Sequence, residues 1–141
     1  MFGKKFSEYV QFDRWILILI TLAFVVRLIT NARWASINLV LLVGLVYCSI
    51  AVHIKGFGSY KQLFGLLMVL NVFAHTLIAL GIVIGVVTGA DNIYTLPEFF
   101  GGSSGRNFLH AGIHVVASFL ASVVAWLVGS LILFVTKLLR R

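Results

Sequence analysis

The sequence is poor in acid: four of its 141 residues are Asp or Glu, and charged residues of both signs make up 11%. Average soluble domains carry about a quarter charged residues, so there is too little ionic side chain here to cover a water-facing surface. No carboxylate falls in any of the long apolar runs, which argues against proton-coupled export by an intramembrane acid. The one cysteine, Cys48, excludes an intrachain disulfide, and its place inside an apolar run reads as a buried, inert thiol.

What is present is apolar. Hydrophobic residues make up 61% of the chain. A run of about 20 such residues crosses a bilayer core, and four runs occupy about 15-31, 35-54, 62-88 and 107-137. The expected fold is an all-α integral membrane protein, a single domain over residues 1-141 built as a four-transmembrane-helix bundle. The first run also imitates a signal peptide, with Lys4, Lys5 and Arg14 ahead of Trp15 to Val26 and Thr30-Asn31-Ala32 behind. It is taken as a retained span, with Arg27 reaching to the interface. Ahead of it, Phe2, Phe6 and Val10 at four-residue spacing suggest either an amphipathic surface helix over 2-12 or a plain charged tail.

A net charge of +7 in a soluble protein would raise nucleic-acid binding. The placement of the charges gives another answer. Lys4, Lys5, Arg14, Lys55, Lys61, Lys137, Arg140 and Arg141 share one side of a four-span chain with Glu8 and Asp13. Arg27, Arg33 and Arg106 share the other with Asp91 and Glu98. The positive-inside rule then puts both termini in the cytoplasm of a multi-pass protein of the plasma (inner) membrane. The expected partners are anionic lipid headgroups, a second copy of the chain or another membrane subunit, and not nucleic acid.

The connections at 31-36 and 55-61 are short turns, whereas 89-106 is long and polar. Within it, Thr95-Leu96-Pro97-Glu98 fits a capping box with proline in the first turn and predicts a short interfacial helix. Small residues recur every four positions in the third run (Gly81, Gly85, Gly89) and the fourth (Ala117, Ala121, Ala125, Gly129). Such a glycine-zipper pattern lets helix backbones approach closely, either between these two spans or between protomers of a homo-oligomer. At 100° per residue, the fourth run separates a face of His110, His114, Ser118, Ser122 and the small residues from a face of Ile113, Val116, Leu120, Val124, Leu127 and Leu131.

Histidines in membrane spans must find partners, so they are the leading functional candidates. The function expected is that of a transport or channel component, or an accessory subunit of a membrane complex. Asn71, His75, His114, Ser118 and Ser122 would form its polar interior, with Arg27 at an outer mouth selecting for anions. Those same polar groups also have a purely structural reading, as hydrogen bonds across the bundle.

The competing functional reading is a metal- or b-type-haem-binding protein. His110 and His114, one turn apart, would take a transition-metal ion with Asp91 and Glu98. His75 and His114 would be axial ligands to haem, although counting rise from the span ends sets them about 10 Å apart in depth. Ser118 and Ser122 near His114 lack an orienting carboxylate, so nucleophilic catalysis has little support.

Overall fold

The computed structural model describes residues 1–96 and 107–139, and in them the chain is helical throughout, with no strand. Helix α1 runs Phe6–Thr30, α2 Ile37–Ile54, α3 Tyr60–Thr88 and α4 Phe108–Leu139. Three of these, α2, α3 and α4, are long and apolar enough to cross a membrane. The fourth, α1, carries Glu8, Asp13, Arg14 and Arg27 around an apolar centre. A helical membrane protein is what these lengths and compositions describe. The short helix expected from Thr95-Leu96-Pro97-Glu98 lies mostly outside the described residues.

Local chemistry sets the helix ends. The Lys5 backbone N–H donates to the Glu8 carboxylate at 2.7 Å, which starts α1 at Phe6. Residues 6-12 are therefore the first turns of α1 and not a separate surface helix. Asn31, in the left-handed region at φ 53°, stops α1 by returning its N–H to Arg27 O. The Ser36 hydroxyl accepts from Leu39 N–H at the start of α2, and the Asn107 side chain accepts from His110 N–H at 2.7 Å at the start of α4. Gly89, at φ 70°, closes α3 where a side chain would be strained.

The helices alternate in direction. Asp13 meets Cys48, His75 meets His114, and the Trp126 indole N–H reaches Tyr60 O at 2.9 Å. Both described chain ends and the α2–α3 turn thus share one end of the bundle, here the terminal end. That end wears a collar of aromatic rings and lysines: Tyr9, Phe57, Phe12 and Tyr47 meet in series through edge-on and tilted ring contacts. Lys4, Lys55 and Lys137 sit over Phe57, Phe12 and Tyr60 respectively. Amphipathic rings with snorkelling lysines suit the headgroup zone of a bilayer.

The largest interhelix contact is between α3 and α4, while α1 touches α2 and α3 only. Lipid is as apolar as leucine, so close packing has to hold the centre together, and Leu63, Leu66, Leu67 and Leu70 of α3 are fully enclosed there. On α4, Val116, Leu120, Val124 and Leu131 face outward, while His110, Ser118, Ser122 and Gly129 are buried. Gly112 also faces outward, and a Cβ added to it meets nothing within 4 Å. Gly112→Ala is expected to stabilise the protein by about 0.5–1 kcal/mol through helix propensity, read as a higher melting temperature in detergent. A fall would show that an unseen contact crosses this glycine.

Three glycines of the small-residue series, Gly81, Gly85 and Gly129, make close approaches within the chain. A Cβ on Gly81 would lie 2.5 Å from the Tyr94 ring, and one on Gly85 2.7 Å from Thr95 Cγ2. These two glycines make room for the segment after α3. Gly129 approaches Ser49 and Leu45 of α2. Ala121 and Ala125 line a cleft facing α2 and α3, Ala117 is half-buried, and Gly89 serves as the C-cap of α3.

Candidate functional site

The segment after α3 folds back against its own helix. The Asn92 side chain donates to Gly81 O at 2.9 Å and accepts from Tyr94 N–H at 2.9 Å, and Thr95 and Asn92 exchange two further bonds. Tyr94 is laid onto Gly81, two helical turns below the end of α3. The start of α4 comes down with it, so His114 stands level with His75.

The His75 and His114 Nδ1 atoms are 3.3 Å apart, and the His110 ring centroid is 5.0 Å from that of His114. Three imidazoles thus follow one another from the far end of the bundle towards its middle. In a neutral His75–His114 pair, one ring supplies the N–H and the other the lone pair, so the contact can hold a proton on either ring.

Two clefts meet at this row. The far-end cleft, about 520 Å³, is lined by Arg27 and Arg33, by Ser36 and Asn38, and by Tyr94, His110 and His114. The mid-bundle cleft, about 260 Å³, is lined by Asn38, Asn71 and His75 among leucines of α2 and α3. Asn38 belongs to both. His114 looks into the first and His75 into the second, so the imidazole contact bridges them. Leu67 and Leu70 border the deeper cleft, and the fully enclosed Leu63 and Leu66 pack on the terminal side of it.

At the rim, the Arg27 guanidinium lies 5.6 Å from the Tyr94 ring centroid. The Tyr94 ring also stacks on Phe24 with centroids 5.7 Å apart. Arg27 Nε and the Tyr94 hydroxyl are both buried without a hydrogen-bond partner. Burial pushes the Tyr94 phenol up to about 12, against the opposing pull of the Arg27 charge. Tyr94 is therefore a neutral donor throughout the physiological range.

Several expected site residues have other partners. Ser118 donates to Val115 O and Ser122 to Ser118 O, so these hydroxyls satisfy their own helix and line neither cleft. Asn71 lines the deeper cleft, but its side-chain N–H₂ is bonded to Leu67 O at 2.8 Å and not across the bundle. Asp91 is exposed, Glu98 lies outside the described residues, and among the described residues no three His, Cys, Asp or Glu side chains gather to hold a metal ion. The proposed axial histidines touch each other directly, and the rings would have to part to admit a haem.

One acid just ahead of the first apolar run is buried. Asp13 is fully enclosed on the inner face of α1, its Oδ1 accepting from the Cys48 thiol at 3.2 Å while Oδ2 has no partner. The buried residues of α1 are Tyr9, Asp13, Ile16, Ile20 and Phe24, at spacings of three and four. That periodicity, carried two residues ahead of Trp15, is the signal that marks Asp13 as inward.

No protein-family model matches the chain, and no curated protein or solved structure matches it either.

Proposed function

We propose that the chain is a small multi-pass transport or channel component, with four spans and both termini cytoplasmic in the plasma (inner) membrane. The observation that carries this is the row of three histidines joining a cationic cleft at the far end to a second cleft at mid-bundle. Polar side chains are costly at membrane depth and tend to mark pathways for protons, ions or polar solutes. Here Asn38, Asn71, His75, His110 and His114 line the two clefts. Lysines and aromatic rings collar the terminal end, which favours that end for the cytoplasmic face. The four-span count follows if α1, whose 25 residues reach about 37 Å, crosses with its charges near the two interfaces. In this reading the far-end cleft is an outer vestibule, and Leu67 and Leu70 close the route towards the cytoplasm.

The test is flux into liposomes holding the purified chain. Proton uptake is followed with an entrapped pH-sensitive dye, and phosphate and chloride entry by light scattering. His75→Leu is expected to lower the conducted species at least about tenfold, a change of about 1.4 kcal/mol in the barrier. Equal flux in wild type, His75→Leu and empty liposomes would defeat the proposal.

A further inference from the structure

We infer that the far-end cleft is a binding site for a phosphate group, held chiefly by Arg27 with the Tyr94 hydroxyl as second donor. The inference deepens the transport reading by naming the ligand chemistry of the vestibule, although binding itself does not require flux.

Two observations point to a ligand. Arg27 Nε is a buried donor with no partner, on a guanidinium that offers donors and no acceptor. The Tyr94 side chain is 7% exposed, and its hydroxyl is also an unpartnered donor. Buried polar groups without partners are costly, so an acceptor that reached these two donors from the cleft would complete them. Both residues line the same cleft. Their positions are fixed independently, Tyr94 by Phe24, Gly81 and the Asn92 turn, and Arg27 by the last turn of α1.

The cleft's charge selects the ligand's sign. Arg27 and Arg33 contribute two guanidinium groups, and among the described residues the other ionisable side chains on its wall are Tyr94, His110 and His114, with no carboxylate. A guanidinium presents a planar fork of N–H donors that matches the oxygens of phosphate, and a neutral phenol adds a single directed donor. Ser36 and Asn38 supply further polar groups on the α2 side. The volume, about 520 Å³, lies within the range of small-molecule sites and exceeds what a bare phosphate fills. The remainder suits the organic body of a phosphate ester. Its source is either a phospholipid headgroup of the adjoining leaflet or a soluble phosphate.

The test uses the full chain in detergent and in nanodiscs. Inorganic phosphate, at matched ionic strength against chloride, is titrated while melting temperature and binding heat are recorded. In parallel, lipid retention is read by native mass spectrometry after exchange into phosphatidylglycerol nanodiscs. Saturable stabilisation by inorganic phosphate indicates a soluble ligand. Retained phosphatidylglycerol with no response to inorganic phosphate indicates a headgroup.

In either case Arg27→Gln is expected to weaken binding roughly tenfold or more and Tyr94→Phe several-fold, while Lys55→Gln at the opposite end leaves it unchanged. Tyr94→Phe keeps the ring and its packing, so it decides the matter if Arg27→Gln does not fold. Binding of neither ligand by the wild type overturns the inference, as does undiminished binding in both site variants. A wild type that binds phosphate but conducts nothing keeps this site and refutes transport, and the reverse result keeps transport and refutes the site.

Discussion

Gly81→Val is expected to lower stability by about 1–3 kcal/mol and to abolish the far-end cleft with it. The Cβ alone would stand 2.5 Å from Tyr94 Cδ2 and 3.0 Å from Cε2. A long flexible side chain would move aside, but this ring cannot readily do so. Its face stacks on Phe24, its backbone N–H is bonded to Asn92 Oδ1, and Asn92 is itself bonded to Gly81 O. Relief requires the turn to lift from α3, which breaks the Asn92 bonds and leaves buried polar groups unpaired. Replacing a helical glycine gains less than about 1 kcal/mol in propensity, so the clash wins. Thermal unfolding followed by tryptophan fluorescence, with proteolysis within residues 89-96 as a second readout, checks this. A wild-type melting temperature with an intact segment would mean that Tyr94 is not clamped on Gly81.

The same turn explains why the sequence places the histidines wrongly in depth. Counting 1.5 Å per residue from the ends of runs three and four separates His75 from His114 by about 10 Å, because it assumes that both helices end at one level. They do not. Asn92, Tyr94 and Thr95 return along α3 as far as Gly81, and α4 begins there. Nothing in hydropathy reports such a return, although the glycines at 81 and 85 mark where a backbone surface is left open.

By contrast, runs two to four were legible because lipid demands a continuous apolar stretch, and the two faces of α4 followed from period 3.6 alone. Ser118 and Ser122 sit on the predicted buried face but bond to carbonyls of their own helix, an option always open to a serine in a helix. Asp13 was hidden by its position before the apolar run. A charge at the edge of a span reads as interfacial until the helix carrying it proves to start earlier, at Phe6.

Asn38→Leu is expected to cut flux at least about tenfold without loss of stability, and it separates a conducting role from a packing role more cleanly than any histidine change. Asn38 lines both clefts, yet its side chain is exposed in the first turn of α2 and is not locked in the core. Leucine is close to it in size and suits a membrane helix, so the fold has no reason to respond. A solute or proton passing between the clefts would lose the polar group at their junction and meet an apolar side chain, at a desolvation cost of about 1–3 kcal/mol. Asn38→Ser, which keeps a hydroxyl there, should retain most of the flux. Wild-type flux in Asn38→Leu would remove the junction from the route and leave the His75–His114 contact as its only link. Loss of flux with a lowered melting temperature would instead identify Asn38 as a packing residue.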